Sequence, residues 1–179
     1  MTTQLIASTD ELKLSPAELE EINAEIAHVP YPAAVAIDAL KIVQRHRGWV
    51  SDASVQAIAR HLNMSAAELD GVATFYNLIF RQPVGENVIL LCNSVSCWIK
   101  GCENLRAQIT QTLGVEQGET TPDNRYTFLP VTCLGACDKA PVMMVGDDLH
   151  EDLDATTLQA IFAEGASTAV EPGSEGGTS

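Results

Sequence analysis

The sequence is poor in basic residues and has no long hydrophobic run. Its 179 residues include 10 Lys and Arg against 24 Asp and Glu, giving a formal net charge of −14. Such a surface repels phosphate backbones, so we expect no nucleic acid partner. No apolar stretch reaches the roughly 18–20 residues of a membrane-spanning helix, and the start, Met1 to Ile6, lacks the basic and apolar regions of a secretory signal. The composition therefore predicts a soluble intracellular protein.

Two common signatures of chemistry are also missing. There is no Gly-x-Gly-x-x-Gly, so we expect the chain alone to bind neither NADH nor FMN. The four histidines are scattered without a metal-binding spacing such as His-x3-His. The five cysteines remain, and in an intracellular protein they indicate a metal or redox site rather than a disulfide framework.

The first part of the chain, residues 1–84, shows helical periodicity and predicts a helical N-terminal unit of four helices. Two of them start at capping boxes, Ser15-Pro-Ala-Glu18 and Ser65-Ala-Ala-Glu68. The second helix should run from about Pro32 to Arg47, with Gly48 as its stop. We expect the fourth helix to continue through Phe75, Tyr76 and Ile79.

The period then changes, and residues 85–165 predict a small α/β domain. Strands are expected at Asn87–Leu91 and Tyr126–Val131, joined by a helix from Cys102 to Leu113, so that these strands are parallel. A hairpin and a last helix capped by Asp154 should follow. This order is typical of the thioredoxin-like type. The predicted fold class is thus α+β: an N-terminal helical bundle, then a thioredoxin-like α/β domain with a small mixed sheet, with a disordered tail at 166–179.

Four cysteines lie on two short segments that each follow a predicted strand. The segments are Cys92-Asn-Ser-Val-Ser-Cys97 and Cys133-Leu-Gly-Ala-Cys137. Because the carboxyl ends of neighbouring parallel strands share one edge of a sheet, their thiolates should meet there. Cys102 begins the predicted helix and is expected to lie outside the site.

The spacing of these cysteines favours one metal group over two alternatives. Structural zinc sites favour Cys-x2-Cys turns, whereas these loops are wider, Cys-x4-Cys and Cys-x3-Cys. A 2Fe-2S cluster has an iron at each end and suits two wide loops, one for each iron. Gly135 leaves room beside the sulfurs, and Ser94 and Ser96 offer hydroxyl donors. Zinc and a metal-free redox dithiol remain as alternatives.

Several stretches together resemble the NuoE-type subunit of respiratory complex I, the NADH:quinone oxidoreductase. They are the two cysteine segments and Leu40-Lys-Ile-Val-Gln-Arg-His-Arg-Gly-Trp49, Gly71-Val-Ala-Thr-Phe-Tyr76 and Arg81-Gln-Pro-Val-Gly85. The resemblance covers about residues 15–162. It implies that Cys92, Cys97, Cys133 and Cys137 bind one 2Fe-2S cluster, and that Cys102 is not a ligand.

The resemblance also implies a function and partners. The chain would exchange an electron with the flavin of a neighbouring subunit, which binds FMN, NADH and a 4Fe-4S cluster. Catalysis would belong to the assembled NADH:quinone oxidoreductase, since this chain has no complete active site. The chain would sit at the cytoplasmic side of the inner membrane, peripherally and bound only through the complex. The alternative is the equivalent diaphorase subunit of an NAD-linked formate dehydrogenase or hydrogenase.

Overall fold

The computed structural model describes residues 13–167, with side chains up to residue 163. Contacts divide the chain into two compact units, Met1–Glu86 and Asn87–Ser179. Most of the predicted tail, residues 168–179, lies outside the described range. Within residues 13–167, no helix combines the length and apolar character required to span a bilayer.

The first unit contains four α-helices and one 3-10 turn. The helices are α1 (Pro16–Ile26), α2 (Ala36–Arg47), α3 (Asp52–His61) and α4 (Ala66–Phe75), and the 3-10 turn at Pro32–Val35 precedes α2. The second predicted helix is therefore α-helical only from Ala36. The predicted capping boxes are present at Ser15 and Ser65. Gly48 ends α2 at φ +82°, a left-handed conformation that suits glycine.

The apolar stripes of these helices form one core. Its fully buried side chains include Ile22, Leu40, Ile58, Leu62 and Leu69. One acidic group is buried with them: Glu18, 1% exposed, pairs with Arg47 through Nε–Oε1 and Nη2–Oε2 distances of 2.6 and 2.7 Å.

The end of α4 differs from the sequence prediction. The helix stops at Phe75, and Tyr76 is extended with φ −93° and ψ 105°. The side-chain amide of Gln44 explains this, because it donates to the Leu78 carbonyl at 2.8 Å and accepts from the Phe80 N–H at 2.6 Å. The chain is thereby pulled out of the helical path. Phe75 is 80% exposed instead of lying on a buried helical face.

The second unit is built on a mixed sheet of four strands in the order β2-β1-β3-β4. The strands are β1 (Asn87–Cys92), β2 (Tyr126–Val131), β3 (Met143–Val145) and β4 (Asp148–His150). As predicted, β1 and β2 are parallel, with Cys92 opposite Val131. The hairpin strands β3 and β4 are antiparallel to each other, and β3 is antiparallel to β1.

Three helices complete this unit. They are α5 (Val95–Ile99), α6 (Cys102–Leu113) and α7 (Ala155–Ser167). Asp154 caps α7 by accepting from the N–H groups of Thr156 and Thr157 at 2.9 and 2.8 Å. Phe128, Ile89 and Ile109 are fully buried between the sheet and the helices. The peptide bond before Pro141 is cis. The predicted α+β fold class is confirmed.

Candidate metal centre

The four predicted cysteine positions lie around the carboxyl ends of β1 and β2. Cys92 is the last residue of β1, and Cys97 lies on α5 immediately beyond it. Cys133 follows the end of β2 by two residues, and Cys137 begins a short 3-10 turn, Cys137–Lys139. Since Cys92 is in register with Val131, the parallel pairing itself brings the two cysteine segments together.

Two of the sulfur atoms already have the spacing of ligands on one metal. The Sγ atoms of Cys133 and Cys137 are 3.9 Å apart. Two thiolates on one tetrahedral metal at about 2.3 Å would have their sulfurs about 3.8 Å apart. The backbone N–H of Gly135 points to Cys133 Sγ at a distance of 3.4 Å. Gly135 adopts φ +84°, so the turn that aims this donor favours glycine.

Polar groups of the first cysteine segment reach the second. Hydrogen bonds from Gly135, from Cys137 and, across the site, from Ser94 and Cys92 hold the pKa of Cys133 below its usual value. The pKa of Cys137 is raised, first by its hydrogen bond with Cys133 and by the charge of that neighbour, while Ser96 acts in the opposite direction. The two serines singled out in the sequence therefore act on the cysteines of the opposite segment.

The other pair is buried and behaves differently. Burial raises the pKa of Cys97 to about 11, and a hydrogen bond with Cys92 adds to this, although the backbone of Val142 partly offsets it. Cys92 and Cys97 are each 1% exposed, whereas Cys133 and Cys137 are exposed. The site thus has one pair inside the protein and one at the surface.

The fifth thiol lies close behind the buried pair. Cys102 opens α6, is 2% exposed, and has a raised pKa through burial, then through the charges of Glu103 and Cys92. Its burial fits the prediction that it is a packed side chain. That it is not a ligand stays a prediction.

The donor set fits a binuclear cluster better than a single ion. Among residues 13–167, no group of three or more His, Cys, Asp or Glu side chains is arranged to hold one metal ion. A 2Fe-2S cluster instead needs two thiolates at each iron. The Cys133–Cys137 spacing fits one iron, and a backbone N–H donor to sulfur is the kind of support that such clusters use.

Sequence reasoning missed one element of the site. The residues between Cys92 and Cys97 are not simply a loop, because α5 begins at Val95. This short helix leaves Val95, Trp98 and Ile99 65%, 61% and 71% exposed. The only signal in the sequence was Ser94, a residue type common at helix starts.

Comparison with known proteins agrees with this site. The model of the thioredoxin-like 2Fe-2S ferredoxin family matches residues 22–166. The NuoE-type subunit of the NADH-quinone oxidoreductase of Pseudomonas aeruginosa is 47% identical over 153 residues, which are 86% of this chain and 92% of that protein. The corresponding Escherichia coli protein is 49% identical over 154 residues, 86% of this chain and 93% of that protein.

A solved structure supports the fold alone. An NAD+-reducing NiFe-hydrogenase in the H2-reduced state superposes with a TM-score of 0.66 at 20% identity, over 77% of this chain and 23% of that longer chain. With the family model matching most of the chain, the chain belongs to the thioredoxin-like 2Fe-2S ferredoxins, a family of iron–sulfur proteins.

Proposed function

We propose that this chain is the electron-transfer subunit that carries one 2Fe-2S cluster in the NADH-oxidising module of respiratory complex I. The proposed ligands are Cys92, Cys97, Cys133 and Cys137. The observation that carries the proposal is their placement on two segments at the carboxyl ends of paired parallel strands, with two sulfurs 3.9 Å apart. The bacterial relatives that are NADH-quinone oxidoreductase subunits of the NuoE type, at 47% and 49% identity, support the assignment to that complex.

The cluster, when bound, supplies a one-electron redox centre. The chain's own residues hold it and set its surroundings. The Gly135 N–H and the Ser94 and Ser96 hydroxyls act on the exposed sulfurs, which stabilises negative charge there and favours the reduced state. The buried pair, Cys92 and Cys97, keeps the other side of the site away from water.

The flavin and the nicotinamide belong to another subunit in this proposal. The chain has no Gly-x-Gly-x-x-Gly, and relatives named as subunits imply an assembly. We assign FMN, NADH and a 4Fe-4S cluster to the neighbouring subunit, which exchanges an electron with this chain. Residues 1–84 would serve contacts within the peripheral arm, and residues 85–165 would hold the cluster. The complex would place the chain at the cytoplasmic side of the inner membrane.

Anaerobic purification of the full chain tests the cluster. We expect about two irons and two sulfides per chain, a red-brown colour, and an EPR signal on chemical reduction. One zinc per chain, or a colourless metal-free protein with free thiols, would rule the cluster out.

Native purification tests the role. A co-purifying flavoprotein should let NADH reduce the cluster, and NADH should have no effect on the chain alone. Co-purification with other complex I subunits would support the respiratory assignment. Recovery with a formate dehydrogenase or hydrogenase subunit would overturn it in favour of a diaphorase.

A further inference from the structure

We propose that the exposed face of α5, formed by Val95, Trp98 and Ile99, is the surface on which the flavin-bearing partner subunit docks, with Trp98 as its anchor. This inference rests on the proposed function and deepens it, because it names the contact surface. We call these three residues the α5 face.

The α5 face is a compact apolar surface. Its residues have the spacing i, i+3 and i+4, which places side chains on one side of a helix. They are 65%, 61% and 71% exposed, respectively. Buried tryptophans in well-packed pockets are among the strongest anchors of protein interfaces. The exposed indole of Trp98 is therefore suited to a pocket on a partner.

The face is built into the candidate metal centre. Cys97 belongs to the same short helix, on its buried side, at 1% exposure. A protein that covers the α5 face therefore lies beside the proposed cluster ligands. Cys133 and Cys137, the exposed pair, are at the same edge of the sheet. Docking here would bring a redox partner near the cluster and shield its exposed side from water.

The charge pattern favours a partner over a second copy of this chain. Residues 87–102 and 126–137 contain none of the 24 Asp and Glu residues of the chain. Such a charge-depleted centre is typical of interface cores. The first acidic residues after these segments, Glu103 and Asp138, are exposed and provide a negative rim. The matching surface is an apolar pocket for Trp98 with a basic rim.

Two copies meeting through this face would bring together two chains of formal charge −14. Like charges across an interface oppose association. A dimer of this kind would also contain two acceptors and no electron donor. A flavoprotein with a basic rim satisfies both requirements.

The test measures binding of the cluster-loaded full chain to the purified flavin- and NADH-binding subunit. Trp98→Ala and Ile99→Asp should each weaken the dissociation constant by at least about 10-fold, the size expected for an anchor. Trp98→Phe should restore most of the loss. Leu149→Ala is the matched control, since Leu149 is an exposed apolar residue, 42%, on the outer strand β4. It should stay within about 2-fold of wild type.

Iron content and the visible spectrum, measured on each variant, show whether the cluster is intact. If Trp98→Ala and Ile99→Asp retain the cluster and bind as tightly as wild type, the docking surface is wrong while the proposed function stands. A chain that dimerises through this face, with the dimer lost in Ile99→Asp, would assign the face to a second copy instead. If the wild-type chain does not bind the flavin subunit, both the proposed function and this inference fail.

Salt dependence tests the basic rim separately. Attraction between the acidic chain and a basic rim should make the association rate fall as ionic strength rises. An association rate that rises with salt would contradict the proposed charge of the partner.

Discussion

The backbone N–H of Gly135 donates a hydrogen bond to the Sγ of Cys133 across 3.4 Å. Gly135 holds this geometry at φ +84°, and a Cβ added there would meet no atom within 4 Å. An alanine at this position would therefore strain the backbone without a steric clash. This permits a clean test of the donor's role.

Gly135→Ala should destabilise the turn by about 1–2 kcal/mol, the cost of a left-handed conformation for an L-residue. Relaxation of the turn would weaken the N–H···S bond, so we expect a lower cluster reduction potential and faster cluster loss to a chelator. Redox titration measures the first and absorbance the second. Gly114→Ala is the control, because Gly114 also has positive φ, +70°, and open space but lies at the end of α6. Equal potentials in the two variants would remove Gly135 from the tuning of the site.

Alanine substitutions should separate the four proposed ligands from the fifth cysteine. Cys133→Ala removes one of the two sulfurs spaced for one iron and should abolish the 2Fe-2S spectrum. Cys102→Ala should keep that spectrum and about two irons per chain. Alanine is chosen over serine because Cys102 is 2% exposed and a hydroxyl would be costly there. The opposite pattern of iron content would exclude Cys133 and make Cys102 a ligand.

Much of this site follows from local sequence rules. The β1 and β2 strands are continuous apolar runs, and a helical crossover makes parallel pairing the expected result. Once Cys92 and Cys133 sit at the ends of such strands, they must share an edge of the sheet. The serine caps at Ser15 and Ser65 likewise depend only on residues three positions apart.

The differences arise where distant side chains decide the backbone. The end of α4 is set by Gln44, more than 30 positions from the residues it binds. The five residues of α5 are too few for a periodicity to be detected. The choice between one ion and two irons needed the sulfur positions, because loop spacing alone leaves zinc possible.

Loss of Arg47 should strongly destabilise the helical unit. Arg47 makes two hydrogen bonds of 2.6 and 2.7 Å to Glu18, which is 1% exposed. Arg47→Met would leave a buried carboxylate without its cation, at a cost of about 3–5 kcal/mol. Arg45→Met is the control, since Arg45 pairs with Glu21 at the surface and should contribute only about 0–1 kcal/mol. Denaturant unfolding followed by circular dichroism measures both, and equal losses would contradict a special role for the buried pair.

The same pair should give the unit an acid-sensitive contribution to stability. Burial alone would raise the pKa of Glu18, but the hydrogen bonds and charge of Arg47, with the hydrogen bonds of Ser15, outweigh it and hold the pKa below 4.5. The unfolded state then binds more protons near pH 4, so the contribution is present above pH 4.5 and is lost as pH falls through the folded pKa. Glu18→Gln should flatten this part of the stability curve. Other carboxylates with lowered pKa, such as Glu68 and Asp154, are unchanged in the variant, and an unaltered curve would exclude Glu18 as a source.

In the chain stripped of metal, the cysteines should be alkylated in a fixed order. Cys133 is exposed and its pKa is lowered first of all by the Gly135 N–H, so it should react fastest. Cys137 is also exposed, but the neighbouring Cys133 raises its pKa and it should follow. Cys97, with a pKa of about 11, and Cys102 are buried and should react last.

Iodoacetamide labelling with peptide mass spectrometry measures the order, and its pH dependence separates the two causes. Because the thiolate is the nucleophile, the rate for Cys133 should level off at a lower pH than the rate for Cys137, although both thiols are exposed. Labelling in guanidinium is the control, since unfolding removes both burial and hydrogen bonds and should bring the five rates together. Equal pH profiles for Cys133 and Cys137 in the folded chain would contradict the proposed effect of Gly135, and fast labelling of Cys97 would contradict a buried inner pair.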